Sequence, residues 1–486
     1  MTIKKILPIL ASTLLCLASQ AQNTANLNKL IEEMRSDASL KHASLSISVY
    51  NITTDALAYE SESQRSLIPA SINKIYTTAA GFDQLGSSFR FKTSLDYSGE
   101  IDAKGVLHGN IYITGGGDPL LGSYRYKQTQ PDSLFANWML AMTKLGIKGV
   151  DGRICYDAGI FDNQLLNNTW QWGDIGNYYA CGVSGLNFHE NMYFAYFNAG
   201  KKVGYPATID KVSPKNINIL NQNAVTTGPE NSGDQVTIYG DPNNPMRHYH
   251  GTVPLGKSDF PVRGALPKPA ETCAELFSTY LRTHGISVSN SATMATNKPA
   301  ELKSILAYYS NTYYVIAQYT NQTSNNMYAE CIFKYLGYQN YGLGTFDNGV
   351  KSIQKFFDSR SLKPEGIRVV DGSGLSRANR TTTDFMCQTL TRIYHSGFYR
   401  DFVTSLSRVG ESGTARNMLP GLDKNIEVSI KSGTMSGIKS YAGYITNADN
   451  QTLCFCIICN GYDCSESAIK AKMEKVIREI ATMNDR

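Results

Sequence analysis

The residues Ser71-Ile72-Asn73-Lys74 form a Ser-x-x-Lys motif. Residues three positions apart on a helix share one face, so the Lys74 amine can reach the Ser71 hydroxyl. A serine in the first helical turn also meets the positive end of the helix dipole, which favours negative charge on an attacking oxygen. A neutral Lys74 amine could then accept the hydroxyl proton as Ser71 attacks a carbonyl group. The motif therefore indicates a serine nucleophile with a lysine base.

The same motif occurs three more times, so its presence alone does not identify a nucleophile. The other copies are Ser352-Ile353-Gln354-Lys355, Ser436-Gly437-Ile438-Lys439 and Ser467-Ala468-Ile469-Lys470. The copy at Ser71 differs in its surroundings, because Pro69-Ala70 precedes it and an apolar stretch from Ile75 to Ala80 follows it. This context predicts a buried helix with a polar first turn, running from Ser71 to Leu85.

A second candidate motif is Ser324-Asn325-Asn326, between two helix-like runs at Tyr313 to Tyr319 and Met327 to Tyr335. A turn at this point can direct two short polar side chains into a cleft. The Ser324 hydroxyl could relay a proton toward a leaving amine, and the Asn326 amide could hold both the lysine and a substrate peptide group. The alternative is an ordinary helix N-cap.

A third candidate motif, Lys431-Ser432-Gly433-Thr434, follows an apparent strand from Ile426 to Ile430. An edge strand can bind an extended peptide through backbone hydrogen bonds. Lys431 would face the cleft, Gly433 permits close approach of the backbone, and the Thr434 hydroxyl could bind a terminal carboxylate. The alternative is a plain turn without function.

The texture of the sequence predicts how these motifs are positioned. A chain of 486 residues exceeds what one core supports. Short strand-like runs among Gly, Asn and Pro turns fill the middle of the chain, whereas helices and strands alternate on both sides. We therefore expect an α/β (α+β) catalytic domain made of residues 22–90 and 291–486, interrupted by a β-rich accessory region at 91–290. The chain should end in a strand, Thr452 to Asn460, and an amphipathic helix, Glu466 to Thr482.

The first residues have the pattern of an export signal. Lys4 and Lys5 precede an apolar stretch from Ile6 to Leu17, and small residues follow, which predicts a signal peptide at 1–21. The apolar stretch is too short to span a membrane, and we expect no transmembrane segment. Cys16 leaves a lipid anchor as the alternative, although Leu15 stands where such signals have a small residue.

Charge and cysteines limit the other function classes. The net charge of +5 is spread along the chain, which argues against a nucleic-acid-binding protein and suits a polyanionic wall. The ten cysteines have no zinc-like spacing. We expect buried free thiols, and one bridge, Cys459 to Cys464, is an alternative in an oxidising compartment.

Together, the three motifs stand in the order found in penicillin-recognising serine enzymes, which the chain resembles. The third motif departs slightly, with Ser432 where Thr is usual. The long interval between the first two motifs resembles the class C low-molecular-mass penicillin-binding proteins, the D-alanyl-D-alanine carboxypeptidase/endopeptidase family. Four further stretches are similar to that family: Pro69-Ala70-Ser71 with Leu85-Gly86, Gly115 to Pro119, Trp170 to Asp174, and Asp371 to Arg377.

The resemblance implies a transpeptidase-like fold and an acyl-enzyme mechanism. Ser71 would attack the carbonyl between two D-alanines, with the backbone N–H groups of Ser71 and Thr434 as the oxyanion hole. Lys74 would be the base, kept neutral by the like charge of Lys431. Ser324 would relay the proton, and Asn326 would orient Lys74 and the substrate.

The resemblance also implies the partners of the protein. These are peptidoglycan peptides and β-lactams, with no metal or cofactor. In the family, the aromatic stretch with Trp170 and Tyr178 borders the cleft, so both are candidates for holding the aliphatic stem of the diamino acid. The alternative is that Trp170 and Trp172 are core of the inserted region. A β-lactamase, or a wall-binding or sensor protein without turnover, remains the alternative for the whole chain.

Overall fold

The computed structural model describes residues 24–296 and 298–483. The predicted signal peptide, with Cys16, lies outside these residues. The strands are β1 (Ser44–Asn51), β2 (Ala56–Ser61), β3 (Lys92–Tyr97), β4 (Glu100–Ile101), β5 (Val106–His108), β6 (Ile111–Thr114), β7 (Gly149–Val150), β8 (Ile154–Asp157), β9 (Met192–Asn198), β10 (Thr208–Ser213), β11 (Leu220–Gly228), β12 (Gln235–Tyr239), β13 (Met246–Pro254), β14 (Phe260–Ala265), β15 (Ser287–Val288), β16 (Thr293–Met294), β17 (Lys303–Tyr309), β18 (Ser407–Arg408), β19 (Glu427–Met435), β20 (Ile438–Thr446) and β21 (Thr452–Asn460). The helices are α1 (24–36), α2 (Lys74–Gln84), α3 (Pro131–Lys144), α4 (Pro269–Thr283), α5 (Tyr313–Thr323), α6 (Asn326–Tyr341), α7 (Phe346–Ser359), α8 (Thr383–Tyr394), α9 (Tyr399–Ser405) and α10 (Glu466–Ala481).

The chain forms two compact units. The first unit contains the described residues up to Ser87, the short segment Ala317–Asn325, and the chain from Ile353 onward. The second unit contains Ser88–Ile316 and Asn326–Ser352. Each unit is built around a hydrophobic core of its own.

The first unit is organised by a six-stranded antiparallel sheet with the strand order β18-β19-β20-β21-β1-β2. In this sheet β1 pairs with β21 along its whole length, from Ser44 opposite Asn460 to Asn51 opposite Leu453. The pairing joins the start of the described chain to its end. Strand β19, which carries the third motif, belongs to the same sheet.

The two faces of this sheet are covered by different helices, because successive residues of a strand point to opposite sides. Ile47 and Val49 of β1 lie in the core cluster that also contains the apolar side of α10. On the opposite face, Ser46 meets the hydroxyl of Thr383 at the start of α8 at 2.7 Å. The hydroxyl of Tyr444 in β20 donates to the Leu390 carbonyl of α8 at 2.7 Å.

The second unit holds the β-rich part of the chain. Its largest sheet has the order β16-β8-β6-β3-β17, and three smaller sheets contain the remaining strands between β4 and β15. Helices α3 and α4 pack into the same core, where the rings of Trp138 and Phe277 meet edge to face with centroids 5.1 Å apart. Aromatic pairs of this kind stabilise a core because they bury apolar surface and hold the two rings in a preferred relative orientation.

Several expectations from the sequence are confirmed. Strand β21 has the predicted bounds, and α10 ends one residue before the predicted Thr482. The nine cysteines from Cys155 to Cys464 are free thiols, so the alternative bridge between Cys459 and Cys464 is absent. Within residues 24–296 and 298–483, no helix has the length and apolarity needed to cross a membrane.

Candidate active site

The backbone at Ser71 differs from the predicted helix start. Ala70–Asn73 form a 3-10 turn, and the α-helix α2 begins only at Lys74. Ala70 has a φ of +49°, which is uncommon for a residue with a side chain and costs roughly 1–3 kcal/mol. The sequence prediction of one continuous helix from Ser71 was therefore wrong in this turn, because a sharp bend precedes the serine.

Lys74 is fixed against the serine of its own motif. Its Nζ atom donates to Ser71 Oγ at 3.0 Å and to the Ser373 carbonyl oxygen at 2.6 Å. The lysine side chain is fully buried, whereas Ser71 keeps part of its surface exposed. The predicted contact between the Ser71 hydroxyl and the Lys74 amine is thus present in the first unit.

The loop from Asp371 to Arg377 holds Lys74 in place. The Asp371 carboxylate accepts the backbone N–H groups of Gly374 at 2.8 Å and Ser376 at 2.7 Å, and these bonds shape the loop. The carbonyl of Asp371 accepts the Asn73 amide at 2.9 Å, which ties the loop to the 3-10 turn. The sequence singled out this stretch, but it did not predict that the Ser373 carbonyl contacts the lysine.

Ser324 and Lys431 form a second hydrogen-bonded pair in the same unit. Ser324 lies between α5 and α6 with a φ of +57°, as expected for a residue in a tight connection. Lys431 Nζ donates to Ser324 Oγ at 2.9 Å and to the Ser432 carbonyl at 2.8 Å. The second and third motifs therefore meet through their serine and lysine.

The pKa of the Lys431 amine lies well below the usual lysine value. Burial is the largest cause, since it disfavours the charged form, and the charge of Lys74 is the next. Lys439 has the same effect to a smaller extent. Lys74 and Lys439 therefore lie close enough to disfavour the charged form of Lys431.

Strand β19 runs through the third motif instead of ending before it. Backbone pairing with β20 extends from Glu427 to Met435, so the strand continues beyond its predicted end at Ile430, and the alternative of a plain turn at Lys431 to Thr434 is excluded. A Cβ atom on Gly433 would lie 2.8 Å from the Pro69 carbonyl oxygen and 2.9 Å from the Ser71 backbone nitrogen. This position requires glycine because the strand passes directly against the 3-10 turn that carries Ser71.

The other candidate residues belong to the second unit. The Asn326 amide, at the start of α6, donates to the Tyr179 carbonyl at 2.7 Å. Trp170 is buried and its ring packs against Phe346, as the core interpretation requires. Tyr178 is exposed, with the Arg263 guanidinium 3.6 Å from its ring centroid.

The three other Ser-x-x-Lys copies have different surroundings. Ser352 lies inside α7 and donates to a carbonyl one turn earlier at 2.8 Å. Ser436 lies in the turn between β19 and β20. Lys470 pairs with Glu474 at 3.6 Å on the surface of α10, one turn ahead in the same helix.

A buried lysine that donates to a serine hydroxyl, a second serine–lysine pair and a strand of antiparallel sheet beside them are features of the serine hydrolases that carry Ser-x-x-Lys motifs. The profile of the D-Ala-D-Ala carboxypeptidase 3 (S13) family matches residues 27–482. The chain belongs to this family. It is a hydrolase of the D-alanyl-D-alanine carboxypeptidase class.

Curated relatives match most of the chain. The D-alanyl-D-alanine carboxypeptidase of Actinomadura sp. (strain R39) is 26% identical over 475 residues, covering 93% of this chain and 84% of the relative. The D-alanyl-D-alanine carboxypeptidase DacB of Haemophilus influenzae is 24% identical over 433 residues, covering 88% of each.

Solved structures show the same fold. The crystal structure of penicillin binding protein 4 from Haemophilus influenzae superposes with a TM-score of 0.80 at 21% identity, covering 94% of this chain and 99% of the other. The structure of that protein complexed with a β-lactam has a TM-score of 0.75 at 22% identity, covering 94% and 98%. The predicted penicillin-recognising α/β fold with an inserted region is confirmed.

Proposed function

We propose that this protein removes the terminal D-alanine from peptidoglycan stem peptides, or opens cross-links after D-alanine, through an acyl-enzyme on Ser71. The observation that carries the proposal is the 3.0 Å hydrogen bond from buried Lys74 to the Ser71 hydroxyl. A buried amine on this oxygen can accept its proton without moving, which is the requirement for a general base.

The proposed acylation step forms one bond and breaks one. Ser71 Oγ attacks the penultimate D-alanine carbonyl while Lys74 takes the hydroxyl proton. The oxyanion is stabilised by the N–H groups of Ser71 and Thr434. When the tetrahedral intermediate collapses, the C–N bond breaks, and the proton passes from Lys74 through Ser324 to the leaving amine. Asn326 orients the substrate.

Hydrolysis of the acyl-enzyme completes the cycle. A water molecule attacks the ester carbonyl and gives its proton back through Lys74 to Ser71, which restores the free enzyme. Ser432 and Thr434, which follow Lys431 in β19, supply hydroxyl groups for the substrate carboxylate. Burial, and then the charge of Lys74, lower the pKa of Lys431, in support of a site where one amine is available as a base.

The same chemistry accounts for β-lactams as ligands. A β-lactam is a cyclic amide, so attack by Ser71 opens the ring while the leaving amine stays attached. The complex of the Haemophilus protein with a β-lactam supports this part of the proposal.

The proposal includes the compartment and the domain organisation. Residues 1–21 direct export to the periplasm, where stem peptides are found. Residues 22–90 and 291–486 form the catalytic domain, and 91–290 form the accessory region. Within that region, Tyr178 offers an exposed ring to the substrate stem. Trp170 is the second candidate, although its ring is buried.

D-alanine release tests the proposal. Purified wild-type protein and Ser71→Ala are incubated with a monomeric pentapeptide muropeptide and with a cross-linked dimer. Wild type should release D-alanine from the first or resolve the second, and Ser71→Ala should do neither. Equal activity of the two proteins would contradict the assignment of Ser71, and the ratio of the two wild-type rates separates carboxypeptidase from endopeptidase.

A further inference from the structure

Lys439 occupies an unusual position beside the third motif. It ends the Ser436-Gly437-Ile438-Lys439 copy of the Ser-x-x-Lys motif, lies in β20, and pairs across the hairpin with Thr434. Its Nζ atom donates to Thr434 Oγ1 at 2.7 Å and to Glu466 Oε1 at 2.8 Å. The lysine is 4% exposed, so its head group is held by these contacts.

The contact fixes how the Thr434 hydroxyl can be used. An ammonium group has three donors and no acceptor, whereas a hydroxyl has one donor and two acceptor positions. Thr434 Oγ1 must therefore accept from Lys439, and its own proton points to a different acceptor. Because Thr434 is exposed, that acceptor can come from a ligand.

The charges around Lys439 favour an anionic ligand. The charge of Lys439 is one of the causes of the low pKa of buried Lys431, so Lys439 acts on the region around the third motif. Its carboxylate partner, Glu466, has a 60% exposed side chain and is the first residue of α10, where the helix dipole also attracts its charge. Glu466 therefore offsets only part of the positive charge.

We propose that Lys439 is a positioning residue that turns the Thr434 hydroxyl into a dedicated donor, so that the site selects substrates carrying a carboxylate on the residue that leaves. This rests on the proposed function, since it assigns a determinant of substrate choice to the same site. Lys439 acts through Thr434 and through its charge, without touching the substrate. The competing interpretation is that Lys439 only clamps β20 to α10.

The test compares two substrates that differ in one group. A stem-like peptide ending in D-Ala-D-Ala is prepared with a free carboxylate and as the C-terminal carboxamide, and kcat/KM is measured for each. Wild type should prefer the carboxylate. Lys439→Met keeps the apolar part of the lysine side chain. In this variant the preference for the carboxylate should fall about ten- to a hundredfold, because kcat/KM falls for the carboxylate substrate and not for the carboxamide. This is the range expected for the loss of one charge-assisted hydrogen bond.

Three further variants make the result decisive. Lys439→Arg retains a cationic donor and should restore most of the preference. Lys470→Met removes another ion-paired lysine of the same unit and should leave the preference for the carboxylate substrate unchanged. Glu466→Gln removes the offsetting charge at an exposed position and should raise kcat/KM for the carboxylate substrate about two- to fivefold.

Two outcomes would overturn the inference. One is an equal loss on both substrates in Lys439→Met, which would show a clamp. The other is an unchanged preference in Glu466→Gln, which decides the question if Lys439→Met does not fold. Failure of the proposed function has a different signature: wild type cleaves neither peptide, or Ser71→Ala cleaves them as well as wild type.

Discussion

At the scale of single residues, two buried lysine amines each meet a serine hydroxyl. Lys74 and Lys431 are fully buried, and the pKa of Lys431 is lowered by burial and by the charge of Lys74. The oxygens of Ser71 and Ser324 accept hydrogen bonds from these two amines. Repulsion between the lysines favours loss of a proton from one of them, which is how an amine becomes a base near neutral pH.

Replacing Lys74 with methionine should remove the base while keeping the volume of the side chain. The rate of covalent labelling by penicillin should fall about a hundred- to ten-thousandfold, the usual contribution of general base catalysis. Lys470→Met is the matched control and should label at the wild-type rate. Labelling of Lys74→Met at the wild-type rate would show that another group activates Ser71.

Asp118 in the second unit should make stability depend on pH. Its carboxyl is fully buried, and this burial raises its pKa from 3.8 to about 7, although Oδ1 accepts the Leu120 N–H at 2.8 Å. The folded state thus holds a proton that the unfolded chain loses, so stability is highest below about pH 4 and falls as the pH rises to about 7.

Between about pH 4 and about pH 7, Asp118 lowers the free energy of unfolding by an amount on the order of 4 kcal/mol. Asp118→Asn, which mimics the protonated carboxyl, should remove this part of the pH dependence. Denaturant unfolding of both proteins at pH 5 and pH 8 measures it. If the difference in unfolding free energy between the two proteins is the same at both pH values, the carboxyl is not protonated in the fold.

At the scale of elements, the loop Asp371–Arg377 holds Lys74 through the Ser373 carbonyl. Gly374 has a φ of +80°, and a Cβ atom there would overlap the Ala70 carbonyl oxygen. Gly374→Ala should therefore push the loop away from the 3-10 turn and lower the acylation rate. Gly421→Ala is the matched control, because Gly421 has a φ of +74° with no atom near its missing Cβ.

Both glycine variants carry the strain of a side chain at positive φ, about 1 kcal/mol. Only Gly374→Ala should lower the rate of penicillin labelling, measured at a temperature where both variants are folded. Equal labelling rates in the two variants would mean that the loop does not hold Lys74.

Elements with strong local sequence patterns could be predicted, whereas elements whose conformation depends on pairing with another strand could not. The apolar run of β21 identified this strand from the sequence, because nearly all of its residues are buried. The strand character of Lys431 to Thr434 was missed, since serine and glycine have weak strand propensity and pairing with β20 imposes the conformation. The role of the Ser373 carbonyl was missed because any residue type can supply a backbone oxygen.

At the scale of the whole molecule, the order of the motifs predicted the family, but not the sheet that carries the third motif. The first unit depends on pairing between β1 and β21, which lie about 400 residues apart in sequence, and no local pattern specifies such a partner. The assignment of residues 91–290 as an accessory region stays a prediction.

Substrate binding by the second unit can be tested with its two aromatic candidates. Tyr178→Ala should lower kcat/KM for a full stem peptide and spare acylation by a simple penicillin, because a remote contact helps only a substrate that reaches it. Trp170→Ala should instead lower the melting temperature, as its ring is buried against Phe346. Equal losses on both substrates in Tyr178→Ala would remove it from the binding site.

The most direct test of the account is the location of the penicillin adduct. Trypsin releases the peptide Ser66–Lys74, and fragmentation of this peptide distinguishes Ser71 from Ser66. The account predicts one adduct per chain, on Ser71, absent in Ser71→Ala and retained in Ser352→Ala, Ser436→Ala and Ser467→Ala. An adduct on any other residue of the wild-type protein, or one that persists in Ser71→Ala, would contradict it.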